Sequence, residues 1–168
     1  MNDLPTLWED FERDRNEDDG ALWGIYLLNT TLGDWAVAMQ MVSERQDGIS
    51  FQGAWTGPGF PDDPTSLVAV DIEQASLLSI DISGAVLNCH FTAIDEIEFD
   101  MDPREVRDIS HLEAVFDFMM ALANAVGKET VIAGLHNQEY VNYRYRPGAD
   151  GVEYVPPEQS PNLPPTLS

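Results

Sequence analysis

Residues 94–127 read IDEIEFDMDPREVRDISHLEAVFDFMMALANAVG. The stretch joins the clearest strand pattern in the chain to the clearest helix pattern through a proline turn. From Glu96 to Asp102 the residues alternate without a break. Side chains in a strand change face at every residue, so Ile97, Phe99 and Met101 point one way and Glu96, Glu98, Asp100 and Asp102 the other. The polar face is therefore a file of like charges, costly to bury unless something basic or metallic lies against it. Pro103 cannot donate to a ladder and should end the strand. Ser110 then reads as an N-cap, with Glu113 completing a capping box. The helix is expected over about 111–126, stopped by Gly127 in a left-handed conformation. Leu112, Val115, Phe116, Met119, Leu122, Ala123 and Val126 follow the 3.6-residue period and make this the core helix, packed on the apolar face of the acidic strand.

Working outward, Leu22–Leu28 (LWGIYLL) is an apolar run of strand length, as expected of a strand covered on both faces. A second helix is expected over about 34–45, burying Trp35, Ala38, Met39 and Val42. Ile49–Trp55 alternates, with Ile49, Phe51 and Trp55 on one face. Thr56–Pro64 is a loop by composition. Ser66–Glu73 reads either as a short helix capped by Thr65 or as a strand with Val68, Val70 and Ile72 inward; the helix is favoured. Leu78, Ile80 and Ile82 alternate with Ser79 and Asp81, Ser83-Gly84 makes a two-residue hairpin turn, and Ala85, Leu87, Cys89 and Phe91 alternate on the return. The acidic strand follows as the third member of a meander. Glu129–Ala133 and 141–146 read as two further strands, and Arg144 and Arg146 of the second are placed to meet acids across the sheet. The expectation is a single α+β domain over residues 21–146, a mainly antiparallel sheet with two helices packed on it. An acidic, solvated lead-in over 1–20 precedes it, with Leu7, Trp8 and Phe11 forming one turn of amphipathic helix. A mobile, proline-rich tail over 147–168 follows.

Thirty acidic residues against eight basic ones give a net charge of −22 across 168 residues. Such a charge argues against affinity for nucleic acid or anionic membrane, and points to a basic partner or simply to solubility. The lone cysteine, Cys89, leaves no internal disulfide and suits a reducing, cytoplasmic compartment. The N-terminus has no signal-peptide pattern, and no segment is expected to span a membrane. The sequence sets no oligomeric state.

The catalytic inventory is thin. DRNEDDG at 14–20 resembles a calcium loop, but a loop beginning at Asp14 would place Asp19 where glycine is required and Ile25 where the closing glutamate belongs. His90, His111 and His136 match no metal-ligand spacing, and there is no nucleophile elbow, phosphate loop or dinucleotide fingerprint. Cys89 falls on the apolar face, as an inert core thiol would. The reading is no enzyme, no metal and no cofactor. One polar constellation remains, in which the meander brings Asp81, Asn88, His90, Glu96, Glu98 and Asp100 to one sheet face. It could be a solvated surface, a docking surface for a basic partner, or a divalent-metal or acid–base site.

WGIYLLNTTLGDW (23–35), NCHFTAIDEIEFDMDPREV (88–106) and a helix ending at GKETVI (127–132) together resemble small bacterial immunity proteins of polymorphic and contact-delivered toxin systems. The resemblance covers about 23–146 and rests most on IEFDMDPREV. It implies a protein that neutralises a cognate toxin by direct binding, and it fixes no toxin-binding positions. From the residues alone, the expected partner-binding set is Asp81, His90, Glu96, Glu98 and Asp100, facing a toxin with a basic surface. Two competing readings stay open. One is an acidic nucleic-acid mimic that binds a nucleic-acid-binding protein, and the other is a small metal-dependent hydrolase.

Overall fold

A computed structural model describes residues 3–17, 22–45, 48–52, 63, 66, 68, 76–91, 93–134 and 141–155. The expected loop 56–64, the segment 66–73 and the tail beyond residue 155 lie largely or wholly outside them. In chain order the elements are α1 (Leu4–Glu17), β1 (Trp23–Leu28), α2 (Leu32–Ser43), β2 (Ile49–Gln52), β3 (Leu77–Ile82), β4 (Ala85–His90), β5 (Glu96–Met101), a 3-10 turn (Pro103–Glu105), α3 (Ile109–Val126), β6 (Thr130–Gly134), β7 (Val141–Tyr145) and β8 (Glu153–Tyr154). The strands form one eight-stranded sheet in the order β2-β3-β4-β5-β1-β6-β7-β8. Every pairing is antiparallel. The fold is α+β, mostly sheet, with α3 as the long helix.

The alternation in β5 decides which face is inside. Ile97, Phe99 and Met101 are fully buried in one apolar core with Trp23, Ile25 and Leu27 of β1 and Leu112, Val115, Phe116, Phe118, Met119 and Leu122 of α3. Phe99 and Phe118 meet edge to face, with ring centroids 5.1 Å apart. Trp35, Ala38, Met39 and Val42 of α2 are buried in the same cluster, and Trp35 Nε1 donates to the carbonyls of Ala93 and Ile94. All three helices feed this one core, so all three cover the same face of the sheet.

The apolar run of β1 is explained by its place. It is a central strand, paired with β5 on one side and β6 on the other. Trp23, Ile25 and Leu27 face the helices, while Tyr26 joins Val131, Ala133, Val141 and Val155 in a small apolar cluster on the opposite face.

Three expectations need correcting. The N-terminal segment is not a solvated lead-in. Leu4, Leu7, Trp8 and Phe11 stand at i, i+3, i+4 and i+7 and form the inward stripe of a four-turn helix. Phe11 is fully buried, 5.1 Å from the Trp23 ring and 6.4 Å from that of Tyr143. Asp3 Oδ1 accepts the Thr6 amide at 2.9 Å and satisfies a first-turn donor. The polar composition of the stretch conceals a stripe of only four residues.

The second correction is the cap of α3, which is Asp108 and not Ser110. Asp108 Oδ1 accepts the His111 amide at 3.0 Å and the Ser110 hydroxyl at 2.6 Å. A carboxylate is a strong acceptor at the positive end of a helix and starts it one residue before Ser110. Gly127 does end the helix, at φ 77°. The third concerns the region after Tyr145, where residues 147–155 are not loose tail. Val152 and Val155 are buried, and β8 pairs with β7.

A further difference concerns hydropathy. With mean hydropathy 1.3 over 18 residues, α3 is long and apolar enough to cross a membrane by length and composition. Its place in the core accounts for that hydropathy, which covering by the sheet, α1 and α2 demands.

Candidate functional site

The face of the sheet opposite the three helices carries the other half of the β5 alternation. Register sets its layout: Leu28, Tyr26 and Gly24 of β1 stand opposite Glu96, Glu98 and Asp100. On the other side Asn88 of β4 stands opposite Asp100, and Ser79 of β3 opposite Asn88. A hydrogen-bonded ladder crosses these three strands. The Ser79 hydroxyl donates to Asn88 Oδ1 at 2.7 Å, Asn88 Nδ2 donates to Asp100 Oδ1 at 3.3 Å, and His90 Nε2 lies 2.9 Å from Asp100 Oδ2. Both oxygens of Asp100 are thus occupied, which is why a carboxylate only 8% exposed is tolerated there.

The rest of the file is less well compensated. Glu98 is half-buried, and burial followed by the neighbouring Asp100 charge pushes its carboxyl up, against an opposing pull from His90. Glu96 is pushed up to about 7, first by burial and then by Glu98 and Asp95. His90 moves up as well, chiefly because Asp100 accepts its hydrogen bond. His90 therefore meets the carboxyl groups of Asp100 and Glu98. Glu96, Glu98 and Asp100 are held partly out of water, so the file is not a freely solvated rim.

Tyr26 completes the patch, and the sequence reading did not single it out. Its ring lies along β1 over Gly24, where a Cβ would come within 2.5 Å of the ring carbons, so the glycine makes the space the ring occupies. The hydroxyl is buried against the Glu98 carboxyl. Burial and the charges of Glu98, Glu96 and Asp100 push its ionisation up. The signal was present in WGIYLL: Gly24 and Tyr26 alternate with Trp23, Ile25 and Leu27 and must occupy the second face.

Of the five expected residues, four share this patch: His90, Glu96, Glu98 and Asp100. Asp81 is on the same face but at the β3–β4 turn, exposed, with Oδ1 accepting the Gly84 amide at 2.7 Å. Asp102, the fourth acid of the alternation, lies beyond the strand and is clasped by Arg104 at 2.7 Å. Cys89 is fully buried among core residues, and its thiol is raised well above the ordinary range by that burial. His136 lies outside the described residues. Among the described residues, no group of three or more His, Cys, Asp or Glu is arranged to hold a metal ion.

What the patch can do follows from these facts. It presents partly desolvated negative charge on a pleated surface, with a proton-accepting carboxyl at its end. No family model, no curated protein and no solved structure matches the chain.

Proposed function

We propose that this protein is a cytoplasmic immunity protein, which neutralises a cognate toxin by docking the acidic face of β5 onto a basic surface of that toxin. One observation carries the reading. Glu96, Glu98 and Asp100 are held partly buried, side by side, on a sheet face that carries none of the three helices. Raised carboxyl groups are strained electrostatically, and β5 makes its core contacts from its other side. A basic partner would relieve that strain, and the net charge of −22 would speed its approach. The resemblance over 23–146 supplies the class of partner.

The test is co-expression with the product of the neighbouring gene, together with direct binding of the two purified proteins over a range of salt. Protection and an association rate that falls as salt rises are expected. A neighbouring product that neither binds nor is neutralised sinks the reading. Binding that free DNA displaces from a panel of DNA-binding proteins, with no protection, would replace it with nucleic-acid mimicry.

A further inference from the structure

Four of the chain's eight basic residues are held in ion pairs elsewhere on the surface. Arg13 pairs with Asp10 and Asp14, Lys128 with Asp34, Arg144 with Glu153 and Arg146 with Glu129. Arg15, Arg104 and Arg107, of which Arg104 is ion-paired to Asp102, line one concavity of about 490 Å³, with Asn16 as its fourth lining residue. It lies where the end of α1 meets the 3-10 turn and the approach to α3. Three of eight basic residues, with no acid in the lining, face one shallow space in a chain of net charge −22.

The fold holds two of the three in place. Arg15 Nη1 donates to the Val106 carbonyl at 2.5 Å, and its guanidinium lies over the Trp8 ring, 5.6 Å from the centroid. Neither contact neutralises its charge. Arg104 uses Nε and Nη2 on Asp102, at 2.7 to 3.2 Å, which leaves Nη1 unused. Arg107 is exposed, and no ion pair or side-chain hydrogen bond engages its guanidinium among the described residues. The adjacent Asp108 carboxylate is committed to the first turn of α3. A guanidinium carries five N–H donors in a planar fork. Donors from three forks therefore remain directed at one concavity, two of them with their positions already fixed. Gathering like charges is unfavourable unless an anion sits among them.

We infer that this concavity is an oxyanion-binding site, built by Arg15, Arg104 and Arg107 for the phosphate or carboxylate group of a small molecule. Bidentate contacts from arginine suit both groups and form charge-assisted hydrogen bonds. The site lies off the sheet face and is independent of the toxin-docking reading.

The probes are inorganic phosphate and citrate, titrated calorimetrically into the full chain against sodium chloride of equal ionic strength. The chloride arm is required because salt alone relieves the self-repulsion of so acidic a chain. Saturable binding at one site per chain is expected with at least one probe and not with chloride. Phosphate alone would mark a phosphate site, and citrate alone a carboxylate site. Arg107→Gln touches no packing and should weaken binding about ten-fold, the loss expected for one charge-assisted hydrogen bond at an exposed site. Arg104→Gln should weaken it as well, while Arg146→Gln, outside the concavity, should not. No saturable binding with either probe, or binding unchanged in both Arg107→Gln and Arg104→Gln, overturns the assignment.

Discussion

Strand β5 holds two sets of three residues that differ only in parity. Ile97, Phe99 and Met101 are fully buried in the helix-covered core, whereas Glu96, Glu98 and Asp100 lie on the opposite face, next to Tyr26 and His90. The first set is held by contact with many neighbours, and no single one of them can be removed without leaving a void. The second set is held by a few polar contacts and opposed by its own charge. One strand therefore does two jobs, and the residues that stabilise it are not the ones that would recognise a partner.

The sharpest way to break this division is to delete a member of the first set. Phe99→Ala removes a fully buried ring that packs against Phe118, and it should cost about 3–5 kcal/mol of stability. Chemical denaturation measures it. A loss under about 1 kcal/mol would mean that the two faces of β5 are not divided as described.

The next largest effect belongs to the second set. Glu96→Gln, Glu98→Gln and Asp100→Asn together keep shape and remove the negative charge of the file, with one of the two acceptors that Asp100 offers to Asn88 and His90 replaced by a donor. The fold should survive. Under the proposed function, association with a cognate toxin should slow roughly ten-fold or more at low salt, and the gap should close as salt shortens the Debye length to about 8 Å at physiological strength. An unchanged association rate in a folded triple variant would make the acidic file structural only.

Much of this division was legible in the sequence. Period 2 in 96–101 and period 3.6 in 112–123 specified both faces of β5 and the inward stripe of α3, because local repeats report directly on burial. The β3–β4 hairpin was legible for the same reason, aided by Ser83-Gly84, which adopt positive φ at the turn. The pairing of β5 with β1, which brings Tyr26 beside Glu98, joins residues 68 to 78 positions apart, and no period encodes it. Helix α1 escaped because four apolar side chains among charges are enough to pack one helix but too few to raise its mean hydropathy. The two-residue β8 escaped because it follows a proline–glycine turn and is too short to alternate. The arginine concavity escaped because Arg15 lies far from Arg104 and Arg107 in the chain, and no local period joins them.

A smaller effect tests the electrostatic strain itself. Glu96, with its carboxyl near 7, keeps its proton in the folded chain at pH values where the unfolded chain, near 4.5, has released it. Folding thus binds a proton between those values, and stability falls as pH rises through them. Glu98, also raised, acts in the same sense. His90, raised by Asp100, contributes stability below the ordinary histidine range and loses it as pH rises through its folded value. Asp34, Asp102 and Asp108 are lowered by their partners, so their contribution is lost only as pH falls below the ordinary aspartate range. Melting temperature should therefore be higher at about pH 5 than at pH 8, and Glu96→Gln should narrow the difference. A melting temperature that climbs from pH 5 to pH 8 would contradict the raised carboxyl groups.

The smallest effect separates position on a face from membership of the patch. Asp81 shares the open face with Glu96, Glu98 and Asp100, and alternation alone would group them. Its carboxylate instead accepts the Gly84 amide at 2.7 Å, and its backbone amide donates to the Gly48 carbonyl at 2.8 Å. Gly48 in turn leaves no room for a Cβ beside Asp81, which would approach within 2.9 Å. Asp81 is thus a local clasp on two turns, placed at the hairpin end and away from the Asn88–Asp100 ladder. Asp81→Asn retains an oxygen acceptor for the Gly84 amide and should change stability by no more than about 1 kcal/mol, the net worth of one exposed hydrogen bond. It should leave toxin association at the wild-type rate at both low and physiological salt, in contrast to the triple variant of β5. An association rate lowered as much by Asp81→Asn alone as by the triple change would show that recognition reads the charge of the whole face, and not the carboxyl groups that register and burial concentrate along β5.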